Sequence, residues 1–185
     1  MEYCPGLTLA DWLKQAYTVD SRDNFKIVAG LLKGVRYIHK VGVIHRDLKP
    51  ANVFIDESLN VKIGDFNLAR GSLEKNKQYS INVGTPLYLA PEQAGSSHYN
   101  HKVDLYPVGI ILVELCCLFA TKHEKLTSLR DIRRKDVFPC GFAAKFPLQF
   151  ELAKWLTVDD PQFRPDANEV LSSSLIAQWD VLTKT

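Results

Sequence analysis

An α+β fold made mainly of helices is what this sequence of 185 residues predicts. Apolar residues at Phe25, Val28, Leu31, Leu32, Val35 and Ile38 recur every three or four positions, the mark of a helix with one buried face. A strongly apolar run from Val108 to Ala120 follows Pro107. Between these helices lie three short β-branched runs, Val43-Ile44, Val53-Phe54-Ile55 and Val61-Lys62-Ile63. A chain of this length forms one sizeable core, burying about 70% of its unfolded surface, so a single domain over residues 1–185 is expected.

The elements follow in order. Met1 to Gly6 is a turn leading into a first helix at Leu7 to Leu13. The long helix through Ile38 stops near Gly42, a residue suited to a helix end. The three strands flank His45 to Asn52, with Asp56 to Asn60 turning between the last two, which puts Asp47 and Asp65 on neighbouring strand ends. From Asn67 to Gly84 the chain is polar, with Ser72, Tyr79 and Ser80 as hydroxyls. A helix begins at Asp104 and runs to about Phe119; Pro107 fits in its first turn, where a missing N–H has no intrahelical partner. Phe146 to Leu156, with Trp155, and Glu169 to Leu182, with Trp179, supply the last two helices, their aromatics filling the core.

The net charge of +2, with acids and bases interspersed, gives no reason to invoke nucleic acid or membrane. Arg130 to Lys135 is locally basic, either a solvated helix end or a small basic surface. Cys4, Cys116, Cys117 and Cys140 have neither zinc spacing nor a disulfide framework, so reduced thiols in a cytoplasmic protein are expected. The longest apolar run carries Glu114 and is shorter than the ~20 residues of a membrane span.

Chemistry concentrates at His45-Arg46-Asp47-Leu48-Lys49-Pro50-Ala51-Asn52-Val53. Phosphoryl transfer needs a carboxylate for the hydroxyl proton, a cation near the moving phosphate and a metal ligand; Asp47, Lys49 and Asn52 offer one of each on one short loop. Downstream stand Asp65-Phe66-Asn67 and Gly84-Thr85-Pro86-Leu87-Tyr88-Leu89-Ala90-Pro91-Glu92. On these motifs the chain resembles the C-terminal lobe of a protein kinase, with a hinge at 1–6, a catalytic loop at 45–53 and an activation segment at 65–92. The resemblance implies that backbone groups of Glu2 and Cys4 face adenine, that Asn52 and Asp65 ligate metal, and that His45 packs beneath the loop. Asp104 then props the loop through backbone hydrogen bonds, and Glu92 and Arg164 form a buried ion pair. Arg46 would receive a phosphate on Ser80, or Ser80 is a merely solvated serine. Thr85 would bond toward Asp47 and Lys49, as in serine/threonine kinases. Asn67 replaces the usual glycine, and asparagine is the side chain that best tolerates the left-handed region expected there.

The resemblance is strongest to the kinases of the alpha subunit of translation initiation factor 2, on Lys62-Ile63-Gly64-Asp65-Phe66, Val103-Asp104-Leu105-Tyr106 and Leu126-Thr127-Ser128-Leu129-Arg130-Asp131. The last of these, with Thr127 and Arg130, lies where that group docks its substrate. The 185 residues contain no Gly-x-Gly-x-x-Gly and no strand lysine before the hinge, so the N-terminal lobe is absent from them. Loss of one comparable cationic contact costs ~10³–10⁵ in rate, so efficient autonomous catalysis, a required cofactor and firm ATP or magnesium binding are not expected. A lone lobe exposes an apolar face of the kind that domain interfaces of ~600–1,500 Å² cover. This truncated arrangement is similar to the kinase-like inhibitors that baculoviruses encode against host initiation-factor kinases. It implies an inactive inhibitor in the (host) cytoplasm. Such a protein acts as a false partner of a kinase, through Tyr3, Leu7 and Leu9, or as a decoy for initiation factor 2 alpha. The alternative is a serine/threonine kinase fragment whose N-terminal lobe lies outside this chain.

Overall fold

The periodicity between Phe25 and Ile38 becomes α2, Ser21–Lys40, the helix against which β2, β4, α4, α8 and α9 all pack. Its positions Ile27, Val28, Leu31, Leu32 and Val35 are completely buried. Asp20 fixes the start, accepting the N–H groups of Arg22 and Asp23 at 2.7 and 3.2 Å, a cap worth about 1 kcal/mol. The end falls at Val41, and Gly42 beyond it has a φ of 75°, which a side chain would resist. The structure, a computed structural model, describes residues 6–15, 18–71, 87–95 and 99–184.

The strands are short and sit on the flank of α2. β1 (Leu7–Thr8), β3 (Val53–Ile55) and β4 (Val61–Ile63) form an antiparallel sheet in the order β1-β3-β4, with Leu7 opposite Ile55 and Val53 opposite Ile63. β2 (Val43–Ile44) pairs instead with β5 (Arg70–Gly71). Asp47 and Asp65 each follow a strand end, those of β2 and β4, and the two strands belong to different sheets. A strand has two edges, and β1 and β4 occupy both edges of β3, so β2 takes its partner from beyond the 45–52 loop.

Helix α1 is Leu9–Gln15, and α4 is Leu105–Cys116. Every residue of α4 is buried, and a helix apolar all round fits only in the middle of a fold. It packs between α2 and α7 (Pro147–Leu156). Gly109 permits the approach of α7, since a Cβ there would stand 2.7 Å from Thr157 Cγ2. α4 stops three residues short of Phe119, where Cys117 turns extended. The remaining helices are α3 (Pro91–Gly95), α5 (Lys122–Lys135), α6 (Phe142–Lys145), α8 (Ala167–Leu171) and α9 (Ser174–Lys184).

The single helix expected from Glu169 to Leu182 is two. Ser173 Oγ donates to Val170 O at 2.7 Å and accepts the Ile176 N–H at 3.4 Å, so this one side chain competes for backbone bonds where the helix divides. Trp179 is core, as expected; its Nε1 donates to Ser21 Oγ at 3.0 Å and its ring meets Phe25 edge-on. Cys116, Cys117 and Cys140 are free thiols, and burial pushes Cys116 up to about 12 and Cys117 up to about 11. Among the described residues no helix is long and apolar enough to cross a membrane.

Candidate active site

The loop after β2 hangs on one buried carboxylate. Asp104 accepts the N–H of His45 at Oδ2 and of Arg46 at Oδ1, both at 2.8 Å, while His39 Nε2 lies 2.8 Å from Oδ2. Arg46 is held at a φ of 72°, a conformation costing a side-chain-bearing residue about 1–3 kcal/mol. Gln93 Nε2 secures it from the other side by donating to Arg46 O at 3.1 Å. His45 is completely buried; its Nε2 donates to Gly64 O at 2.9 Å and its Nδ1 accepts the Asp47 N–H at 3.3 Å. This histidine therefore joins the residue before Asp65 to Asp47 through a single ring.

Asp47, Lys49 and Asn52 converge. Lys49 Nζ lies 2.6 Å from Asp47 Oδ2, and Asn52 Nδ2 donates to Asp47 O at 2.8 Å and to Oδ2 at 3.1 Å. Oδ2 is thus doubly held, which leaves Oδ1 to accept a hydroxyl proton. Asn52 spends its amide hydrogens on Asp47 and keeps its own oxygen as a ligand atom. The Gly64 N–H donates to Asn52 O at 2.9 Å, bringing Asp65 beside Asn52.

At Asp65 the structure corrects the sequence reading. Asn67 lies in a 3-10 turn, Phe66–Leu68, and the left-handed backbone falls on Asp65 itself, with φ 59° and ψ 65°. Asn67 acts through its side chain: Nδ2 donates to Asp65 Oδ1 at 2.6 Å, a contact glycine cannot make. The oxygens of Asp65 and Asn52 are the hard donors that magnesium takes together with substrate phosphates. The residues fit such an ion, with one Asp65 oxygen already engaged by Asn67. No group of three acidic, histidine or cysteine ligands exists among the described residues, so water and substrate phosphate would complete the shell.

Glu92 and Arg164 pair as expected, Arg164 giving both terminal nitrogens to the carboxylate at 2.6 and 3.0 Å. Sequence reasoning missed the partners of the buried Glu114. Tyr88 donates its hydroxyl to Glu114 on α4, and Lys125 Nζ on α5 lies 2.6 Å from Glu114 Oε2. Burial raises the Tyr88 phenol far above its ordinary range, which keeps it a donor. The signal was in the sequence, since a lone carboxylate in the apolar run of α4 needs partners. Its effect is to bind α5, which exposes Thr127 and Arg130, to the stretch around Tyr88.

Leu7 is exposed, but Leu9 is completely buried in the core and cannot face a partner, a correction to its expected docking role. Its place at the start of α1, against β3 and the 50–52 turn, accounts for this. The Arg46 guanidinium stacks on Tyr99 at 5.3 Å. Glu2, Tyr3, Cys4, Ser80 and Thr85 lie outside the described residues.

Comparison with known proteins decides the family. The protein kinase domain profile matches residues 1–176. This chain belongs to the protein kinase family. Within that family it is 36% identical over 197 residues to the eIF-2-alpha kinase GCN2 of Schizosaccharomyces pombe, covering 95% of this chain and 12% of the relative. It is 35% identical over 181 residues to the interferon-induced, double-stranded RNA-activated protein kinase of Mus musculus, covering 97% and 34%. To the eukaryotic translation initiation factor 2-alpha kinase 3 of Rattus norvegicus it is 30% identical over 200 residues, covering 100% and 18%. The chain thus spans between 10% and 34% of the length of such relatives. In this chain the loop 45–53 brings a carboxylate, a cation and an amide together, and α3 and α5 are tied to the core by ion pairs.

Proposed function

We propose that these 185 residues act as a catalytically inactive, kinase-like inhibitor: they bind a kinase of the initiation factor 2-alpha group in the cytoplasm and block phosphorylation of its substrate, which sustains translation. The observation that carries this reading is apolar exposure around the site, with Leu7 at 43%, Phe66 at 43% and Leu68 at 39%. Exposed apolar patches beyond a few hundred Å² tend to be covered by a partner. The kinship with initiation-factor kinases supports the partner class. Full-length initiation-factor kinase is expected to co-purify with this chain and to lose activity as the chain is added; no complex at micromolar concentration overturns the proposal. A false partner works through the Leu7 surface, so Leu7→Ser should abolish inhibition and Arg130→Glu should spare it. Loss with Arg130→Glu alone, together with binding to the initiation factor and not to the kinase, would make the chain a substrate decoy.

The converging Asp47, Lys49 and Asn52 favour a second reading, a serine/threonine kinase whose phosphate cradle lies in residues outside these 185. A glycine-rich loop and strand lysine in the upstream reading frame would decide for it. Under the inhibitory reading no cofactor is required. A working pocket encloses about 70–90% of a small ligand, and half a cradle does not, so calorimetry should detect weak magnesium-ATP binding or none. Micromolar affinity would contradict this. Asp47→Ala should then leave inhibition nearly unchanged; a folded Asp47→Ala protein without inhibitory activity would make the chemistry essential.

A further inference from the structure

We infer that a groove on the far end of α2 is a docking site for an acidic, extended segment of a partner protein. The groove, of about 840 Å³, lies between α2, the turn at His101 and the start of α8. Lys33, Arg36 and Lys40 line it at spacings of three and four along one strip of α2, all exposed. None of the three has an ion-pair or hydrogen-bond partner among the described residues. From Phe25 to its end α2 contains no Asp or Glu, so the strip has no intrahelical acid to offset it. Like charges at these spacings destabilise a helix. The helix dipole accounts for Lys40, in the last turn, but not for Lys33 and Arg36.

The opposite wall sets one carboxylate against the three cations. Asp166 is its one carboxylate, and its Oδ1 is engaged in capping α8, accepting the N–H groups of Asn168 and Glu169 at 2.7 and 2.9 Å. His101 is held below its ordinary range by burial and by neighbouring His39, so it adds no charge at neutral pH. Tyr37, 67% exposed, stands among the three cations as an aromatic platform.

The dimensions select the occupant. Seven residues of helix separate Lys33 from Lys40 by about 10 Å, too far for one phosphate to bridge. A polyproline II segment has three residues per turn and rises about 3.1 Å per residue, so acidic residues three apart share one face about 9 Å from each other. Such a segment matches the strip in charge, and two of its acidic residues, three apart, span about the distance from Lys33 to Lys40, with Tyr37 available to its rings. This binding does not depend on the inhibitory role proposed above.

The test uses the whole 185-residue chain and a fluorescent peptide, Glu-Pro-Pro-Glu-Pro-Pro-Glu, titrated by anisotropy at low salt, where the Debye length is about 30 Å at 0.01 M. The peptide should bind, and K33E/R36E/K40E should weaken it at least about tenfold, the effect of three exposed charge contacts. A charge-matched variant on α5 and α7, K122E/R134E/K154E, should bind as the wild type does. K33Q/R36Q/K40Q, with an unchanged thermal melt, should reproduce the loss and so separate binding from folding. Equal loss in the two charge-reversed variants, equal affinity for Pro-Pro-Glu-Glu-Glu-Pro-Pro, or no binding at low salt would each overturn the inference. Tighter, groove-dependent binding of a single-stranded RNA or of inorganic polyphosphate would overturn it in favour of a polyphosphate-backbone ligand.

Discussion

Arg164→Met should cost about 3–5 kcal/mol of stability, a large part of the 5–15 kcal/mol that hold a domain together. The Arg164 side chain is fully buried and donates to Glu92 Oε1 and Oε2, to Val158 O at 3.0 and 2.8 Å, to Asp159 O at 3.1 Å and to Lys102 O at 3.2 Å. Its guanidinium also lies 5.1 Å from the Tyr106 ring centroid, on the fully buried α4. Methionine fills much of the volume, so the loss is electrostatic: a nearly buried Glu92 carboxylate without its cation, and carbonyls of two loops without donors. Urea unfolding followed by circular dichroism checks this. Arg164→Lys, which keeps the charge but not the planar fork, should fall between the wild type and Arg164→Met. A midpoint unchanged by Arg164→Met would mean that Glu92 and the carbonyls find water, and that the pair does not pin α3 to the lobe.

Asp104→Ala is expected to cost a similar 3–5 kcal/mol, because each buried donor stripped of its acceptor costs about 1–3 kcal/mol. Three donors meet this one carboxylate, and two of them are the backbone N–H groups of His45 and Arg46. Arg46 stays in its left-handed conformation only while these bonds oppose its strain. Without them the loop should relax and carry Asp47 out of register with Lys49 and Asn52. Amide hydrogen exchange reads this directly: the His45 and Arg46 amides should lose protection under conditions where α4 amides keep theirs. His39→Ala removes one donor and leaves both backbone bonds, so it should cost only about 1 kcal/mol. If His39→Ala proved as damaging as Asp104→Ala, the carboxylate would be serving the helix and not the loop.

The elements read best were those whose signal lies among near neighbours. The period of α2 and the extents of β2, β3 and β4 agree with the structure, and Asp47, Lys49 and Asn52 converge on one short loop. Short-range competition misled where it was overlooked, as at Ser173, between α8 and α9. Glu114 announced a buried partner without naming it, since Tyr88 precedes it by 26 residues and Lys125 comes from another helix.

By itself the sequence determined the period of α2, the order of the motifs and the chemical types gathered on one loop, because these depend on residues a turn or two apart. Tertiary structure alone decided which side chains are accessible and which charges meet. Leu9 looks like a surface apolar residue until β3 and the 50–52 turn close over it. Asp104 reaches His45 across 59 residues and Glu92 reaches Arg164 across 72. At Asp65 the backbone took the left-handed turn and Asn67 contributed its amide, an exchange of roles that local propensity does not distinguish. For Leu9 and for the Asp104 and Arg164 pairings the physical reason is the same: burial and electrostatic pairing are set by distance in space, and only the packing of α2, α4 and the small sheets brings those residues within a few ångströms of one another.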